Sequence, residues 1–168
     1  MAEEARQLVV LGVGNRLRGD DAVGCLVCDE LQKTSPSSLV PRPSSVPGPF
    51  VLDCGNTPEN YIQPVADQNP TRILVVDCCN YGAPPGEFRL FSREEVDRLS
   101  YGLLSTHTLP LTLTIEMLSL ETRAAIELLG IQPERIEFGE DLSEPIRRAL
   151  PAVVEFVRDW AAAKERAE

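Results

Sequence analysis

A small set of acidic residues and the single histidine are the side chains best suited to bind a metal ion or to move a proton. Asp20 and Asp21 follow a glycine turn, Asp53 and Asp77 each end an apolar run, and His107 is the only histidine. Two carboxylates and one imidazole bind a divalent transition metal and leave positions open for a further ligand. Nickel and zinc are both compatible with such a site.

The elements predicted around these residues bring them to one edge of a sheet. A buried strand at Leu8–Leu11 leads into the Gly12-x-Gly14 turn. A helix follows, with apolar residues at helical spacing, which places Asp20 and Asp21 at or next to its N-cap. Asp53 ends the second strand and Asp77 the third. Because ligands gather outside the carboxyl ends of parallel strands, we expect Asp21, Asp53, Asp77 and His107 on one rim.

Strands that alternate with helices predict an α/β fold, a three-layer α/β/α sandwich with a mainly parallel five-stranded sheet. A single domain over residues 1–168 is expected. Residues 71–77 give the strongest strand signal, residues 87–91 alternate like an edge strand, and residues 124–131 form the last strand. Ser92 and Glu95 match a capping box.

The remaining segments are predicted as loops and helices. Proline-rich residues 34–49 are predicted as a loop, and so are residues 101–108, which carry His107. A helix starting at Pro58 is shortened by Pro64, and another runs to about residue 120. Ser143 begins the last helix, which is expected to bend at Pro151. Its predicted core stripe consists of Ile146, Leu150, Val153, Val154, Val157 and Trp160.

Composition excludes several classes of function. With 43% hydrophobic and 25% charged residues the chain is globular. No apolar run approaches the roughly 18 residues of a membrane span. The net charge of −10 disfavours nucleic acid and anionic membranes as partners. The acidic N-terminus does not resemble a secretory signal, so we expect a cytoplasmic protein.

Five cysteines, an odd number, argue against a disulfide framework in that compartment. Cys25 and Cys28 lie about one helical turn apart and are predicted as small buried side chains. Strand alternation sends Cys79, rather than Cys78, to the face of Asp77. Cys79 is therefore a candidate soft neighbour of a metal.

The glycine turn also suggests a dinucleotide-binding fingerprint, but Leu17 stands where that fingerprint needs its third glycine. Two acids at a helix start would also repel a pyrophosphate. Each candidate residue has a structural interpretation as well. Asp20 and Asp21 are capping residue types, Asp53 and Asp77 are able to bind their own turn amides, and a lone histidine is often structural.

Several motifs together resemble the endopeptidases that mature [NiFe] hydrogenases, over residues ~8–155 in matching order. The first is Gly12-x-Gly14-Asn15-x-Leu17-x-x-Asp20-Asp21. Further matches are Val51–Gly55, Pro58–Asn60, Pro70–Asp77, Pro85–Glu87, Ser105–Leu111 and Gly130–Pro133. The Thr106-His107 and Gly130–Pro133 motifs are most similar to the branch that serves the formate-hydrogenlyase hydrogenase.

The resemblance implies that Asp21, Asp77 and His107 are the catalytic residues and contact nickel, with Asp20 as a cap. The family holds no catalytic zinc of its own, and no H-E-x-x-H motif occurs here. The resemblance also implies that nickel already inserted in the hydrogenase large-subunit precursor is the recognition element, and that the enzyme then removes a C-terminal extension. A protein substrate, a monomeric enzyme and no permanently bound metal are therefore expected.

The sequence leaves two questions open, namely which group supplies the nucleophile and whether the precursor is cut or only bound. Either an Asp at the rim or nickel-bound water is able to supply the nucleophile. A metal-sensing chaperone that binds the loaded precursor without cutting it would use the same three ligands. The chain also departs from the family pattern: Cys54 replaces a glycine, loop 34–49 is long, and Phe138–Asp141 lacks the expected aromatic residues.

Overall fold

The computed structural model describes residues 7–34, 48–99 and 110–163. They form one five-stranded sheet with helices on both faces, as predicted. The strands are β1 (Leu8–Val13), β2 (Phe50–Gly55), β3 (Arg72–Cys78), β4 (Phe88–Phe91) and β5 (Ala125–Ile131). The helices are α1 (Val23–Gln32), α2 (Ile62–Ala66), α3 (Arg93–Leu99), α4 (Leu111–Glu121) and α5 (Glu144–Ala162). Two 3₁₀ turns occupy Gly19–Ala22 and Pro58–Tyr61.

The strand order across the sheet is β2-β1-β3-β5-β4. The first four of these strands pair in parallel, and β4 joins β5 antiparallel at one edge. The alternating pattern of residues 87–91 therefore predicted an edge strand correctly. β3 lies at the centre of the sheet, and six of its seven residues are buried, which explains its continuous apolar run.

Alternate residues of each strand pack into two separate cores. On one face, Val10, Leu74 and Val76 pack with α1 and α5. On the other face, Val9, Ile73 and Val75 pack with α2, α3 and α4. This arrangement is the predicted three-layer sandwich. No helix within the described residues is long and apolar enough to cross a membrane.

The long C-terminal helix buries the predicted stripe, except that Leu150 is only half-buried. Pro151 lies inside α5 without ending it. Pro64 lies in α2, which is only five residues long, as expected from a proline in a helix. The capping box at α3 is present, since the Ser92 amide donates to Glu95 and the Glu95 amide donates to the Ser92 hydroxyl.

One local prediction is wrong. Asp20 does not cap α1, which begins after its N-cap residue Ala22 and has no side-chain cap, whereas Asp21 lies next to that N-cap as expected. Both acids lie in the 3₁₀ turn that precedes the helix, and that turn also lacks a side-chain cap. The loop of His107 and most of loop 34–49 lie outside the described residues.

Candidate active site

The carboxyl ends of β1 and β3 form the point where the strand order reverses. β1 lies between β2 and β3, and the connections through α1 and α2 leave to opposite faces of the sheet. Open α/β sheets bind ligands in the crevice outside such a switch point. Asp21 follows β1 and Asp77 lies near the end of β3, so the topology brings these two predicted residues to one place.

Two glycines allow the chain to pack closely at this point. A Cβ on Gly24 of α1 would lie 2.2 Å from the Val13 carbonyl oxygen and 2.4 Å from that of Val76. A Cβ on Gly14, where φ is +150°, would lie 1.8 Å from the Asp21 carbonyl oxygen. Any side chain at either position would therefore push the Asp21 turn away from the strand ends.

Asp21 is buried, with 1% of its surface exposed, and lines a cleft. The Asn15 amide donates to its Oδ2 at 3.1 Å. This amide belongs to the glycine turn, where a nucleotide-binding turn would direct its amides at phosphate. The cleft has a volume of about 140 Å³, and Cys78, Asn80 and Gln132 are among its other lining residues.

Asp77 is 1% exposed and directly precedes Cys78, which ends β3, and Cys79, which follows the strand. Burial raises the pKa of the Cys78 thiol, and the negative charges of Asp77 and Asp21 raise it further. Burial and the same two carboxylates also raise the pKa of Cys79. Both thiols are therefore protonated at neutral pH. The charges of Asp21 and Asp77 raise the pKa of both thiols, so the two carboxylates lie near the same pair of cysteines.

The third predicted ligand, His107, lies outside the described residues, so its position relative to Asp21 and Asp77 stays a prediction. Among residues 7–34, 48–99 and 110–163, no three His, Cys, Asp or Glu side chains are grouped to hold a metal ion. The described part of the site thus offers two carboxylates of a possible ligand set. A metal held there would need further ligands, from His107 or from a bound partner.

Asp20 is not a helix cap, because its carboxylate binds the segment that joins β5 to α5. Its Oδ2 accepts the amides of Glu134 at 2.8 Å and Arg135 at 3.0 Å. The Ser143 amide donates to Oδ1 at 2.7 Å, and the Ser143 hydroxyl donates to Oδ2 at 2.8 Å. Ser143 precedes α5 as predicted, but its side chain serves Asp20 rather than the helix amides.

Gln132 plays a similar part that the sequence reasoning did not assign. Its Oε1 accepts the amides of Tyr81 and Ala83, and its Nε2 donates to Asn80 Oδ1 at 3.0 Å. These bonds join the loop after β3 to the loop after β5. The Gly130–Pro133 motif was the signal that could have identified it.

Asp53 lies in β2, two residues before the strand ends at Gly55, and has other partners. Arg16 Nη2 donates to its Oδ2 at 2.6 Å, and the Gly55 amide donates to its Oδ1 at 3.0 Å. Burial would raise the pKa of Asp53, but these bonds outweigh it and lower that pKa. Arg16 also binds Asp29 of α1 at 2.8 Å. Asp53 therefore binds its own turn amide, one of the two roles considered for it.

The cysteines are structural in this part of the molecule. Cys25, Cys28 and Cys54 are buried and unpaired as disulfides, and burial raises the pKa of each thiol. Cys54, where the family usually has glycine, packs into the core with Leu52. Gly55 next to it adopts a φ of +54°, so the conformation that favours glycine falls one residue later.

Comparison with known proteins identifies the family of this chain. A family model described as HycI, hydrogenase maturation protease, matches residues 43–160. The hydrogenase 3 maturation protease of Escherichia coli (strain K12) is 31% identical over 152 residues, which cover 90% of this chain and 89% of that protein.

Solved structures agree with both the fold and the family. The [NiFe] hydrogenase maturation protease HycI from Thermococcus kodakarensis KOD1 is 30% identical, with a TM-score of 0.75 over 94% of this chain and 93% of that one. The endopeptidase HycI from Escherichia coli is 30% identical, with a TM-score of 0.73 over 92% and 90%. The HycI match confirms the branch that the sequence motifs indicated. The chain therefore belongs to the hydrogenase maturation protease family and is an endopeptidase.

Proposed function

We propose that this endopeptidase depends on nickel and removes the C-terminal extension of a [NiFe]-hydrogenase large-subunit precursor after the metal has been inserted. The observation that supports the proposal is the meeting of Asp21 and Asp77 at the switch point of the sheet, beside a cleft. The nickel is part of the substrate. The protease itself needs no resident metal for this role.

Asp21, Asp77 and His107 are the proposed contacts to the substrate's nickel. Oxygen and imidazole ligands suit this metal, and a set of three leaves positions for ligands from the precursor. These side chains alone bind a free metal weakly, and they contact the precursor through its nickel. The enzyme would therefore bind a precursor tightly only when nickel is present. Such a requirement discriminates loaded from empty precursor through binding energy.

The same carboxylates are also candidates for the hydrolytic step. An ionised carboxylate within hydrogen-bond reach of a water molecule accepts its proton as the water attacks a peptide carbonyl. Asp21 lines the cleft and is held by the Asn15 amide. We expect its carboxylate to keep one orientation while the substrate binds. A monomer acting in the cytoplasm fits this role.

The test is processing of a co-produced large-subunit precursor by the purified protein, with and without nickel. The proposal expects trimming of the nickel-loaded precursor alone, seen as a shorter large subunit by mass spectrometry. Equal trimming of the empty precursor would overturn nickel dependence. Tight binding of the loaded precursor without any cleavage would favour the chaperone alternative.

A further inference from the structure

Two surface turns lie side by side next to the Asp21 cleft. The first turn is closed by a bond from the Arg18 amide to the Asn15 carbonyl, and the second by a bond from the Glu140 amide to the Glu137 carbonyl. The Gly139 amide donates to the Leu17 carbonyl at 2.8 Å and joins the two turns. Both also touch the site, since Asn15 binds Asp21 and Glu137 lines the cleft.

Each turn presents a large apolar side chain to solvent. Leu17 is 61% exposed and Phe138 is 74% exposed. A single exposed apolar residue needs no explanation in a folded protein. Here, however, two of the four exposed large apolar side chains in the described part of the chain stand on adjoining turns beside the proposed catalytic carboxylates.

These turns are fixed to the protein body, so they present the two side chains in a set position. Asp20 holds the segment through the amides of Glu134, Arg135 and Ser143. The Gly19 amide also donates to the Glu140 carbonyl at 3.1 Å. A surface that is already ordered loses little conformational entropy when a partner binds it.

The charge around the pair is mainly negative. The segment from residue 132 to residue 143 contains four acids and one arginine, and all four acids are exposed: Glu134, Glu137, Glu140 and Asp141. The arginine, Arg135, lies 3.9 Å from Glu140. On the first turn, Arg16 is bound to Asp29 and Asp53, and Arg18 donates to the Ile136 carbonyl, so Arg18 is a further cation beside the four acids. This surface complements a segment with apolar and basic side chains.

We propose that Leu17 and Phe138 form a docking surface for the precursor, and that they receive a segment of it carrying apolar side chains flanked by basic ones. The inference rests on the proposed function, because it names the same substrate. Docking there holds the precursor beside Asp21 while its extension is cut. Leu17 and Phe138 set affinity for the precursor and take no part in bond breaking.

The test compares Leu17→Ser, Phe138→Ser and the double variant with the matched control Leu120→Ser. Leu120 is 79% exposed and lies on α4, which packs on the opposite face of the sheet from α1. Affinity for the nickel-loaded precursor is measured by titration, and kcat and KM are measured from the processing assay. We expect each docking variant to weaken binding and raise KM roughly tenfold, with kcat unchanged.

Leu120→Ser should retain the affinity of the unmodified enzyme, and Phe138→Leu should restore most of what Phe138→Ser loses. High salt should weaken binding of the precursor by the unmodified enzyme, because salt screens the four exposed acids around Phe138. All the substituted side chains are exposed, so the variants should keep the same Tm, which confirms that they fold.

Unchanged affinity and KM in the double variant would overturn the docking surface, and so would an equal loss in Leu120→Ser. A dimer that Phe138→Ser dissociates, seen by size-exclusion chromatography, would assign the surface to a second copy instead. The binding readout needs no cleavage. Binding without nickel-dependent processing would therefore refute the proposed function alone, whereas normal processing by the double variant would refute only the docking surface.

Discussion

Asp20 and Asp21 are neighbours of the same residue type, and both are buried, yet they face different regions of the molecule. The Asp20 carboxylate accepts four hydrogen bonds from the segment between β5 and α5. The Asp21 carboxylate lines a cleft at the switch point and shares its surroundings with Asp77. One acid therefore holds the wall of the cleft, and the other lines the cleft itself.

The 3₁₀ turn at Gly19–Ala22 is the reason for the difference. Side chains of successive residues in such a turn leave in directions about 120° apart, since it has about three residues per turn. A regular helix cap at this position would have directed one acid back to the helix amides. Instead both carboxylates leave the turn, one toward Ser143 and one toward the cleft.

The largest effect is expected from the two acids at the switch point of the sheet. Asp21→Asn and Asp77→Asn should each lower processing of the nickel-loaded precursor at least about a hundredfold, because the loss of a general-base carboxylate, the role proposed for them, has that order of cost. His107→Ala should do the same. Urea unfolding should show the fold intact in all three variants. Full processing by any of them would remove that residue from the catalytic set.

Asp20→Ala should act mainly on stability. It leaves three amides and the Ser143 hydroxyl without the acceptor that this buried carboxylate supplies, so the free energy of unfolding should fall by about 3–5 kcal/mol. Urea denaturation measures the change, with Asp21→Asn as the control at the adjacent position. If the two variants were equally destabilised, the contrast between the two acids would be wrong.

Ser143→Ala removes one of the four hydrogen bonds that the Asp20 carboxylate accepts. The hydroxyl supplies one of the four bonds to the carboxylate, whereas the Ser143 amide remains. The free energy of unfolding should fall by about 1 kcal/mol, and processing should persist. A loss as large as that of Asp20→Ala would mean that the hydroxyl, rather than the amides, carries the network.

The smallest effect is expected at Asp53, the acid that an exposed arginine binds. The side chains of Arg16 and Asp53 are 43% and 30% exposed, so Arg16→Ala should cost at most about 1 kcal/mol at neutral pH. The pKa of Asp53 is lowered in the folded protein. The contribution of this pair is therefore present above the pKa of an unfolded aspartate and is lost as pH falls through the folded value.

Urea unfolding of the unmodified chain and of Arg16→Ala at neutral pH and at acid pH measures this dependence. The difference in the free energy of unfolding between the two proteins should shrink as the pH falls below the pKa of an unperturbed aspartate. A difference that grows toward acid pH would contradict the assignment.

The layers and the sheet were predictable from the sequence, because the spacing of apolar residues within each short segment determines whether it forms a helix, a buried strand or an edge strand. The apolar run of β3 required a central strand, and the alternation of residues 87–91 required an edge. The motif at Gly12–Asp21 also identified the switch point, since a strand, a glycine turn and acids occur together there. The position of Asp21 after β1 follows from that motif, and the position of Asp77 near the end of β3 follows from the apolar run.

The roles of Asp20 and Gln132, and the pairing of Asp53 with Arg16, were beyond such reasoning. The partners of Asp20 lie 114 to 123 residues away, and those of Gln132 lie up to 52 residues away. No local periodicity records such contacts. Asp20 has the residue type and position of a cap, so propensity alone gave the wrong partner. Arg16 stands 37 residues before Asp53, and only the parallel pairing of β1 with β2 brings them together.

The bond between Asp20 and Ser143 spans 123 residues, which has a consequence for biosynthesis. A ribosome makes Asp20 early, and its acceptor oxygens stay hydrated until the segment through Ser143 has emerged. The wall of the cleft therefore closes only late in translation. A nascent chain that stops before Ser143 carries both acids and the glycine turn, yet it lacks two of the four bonds that hold the cleft wall to Asp20.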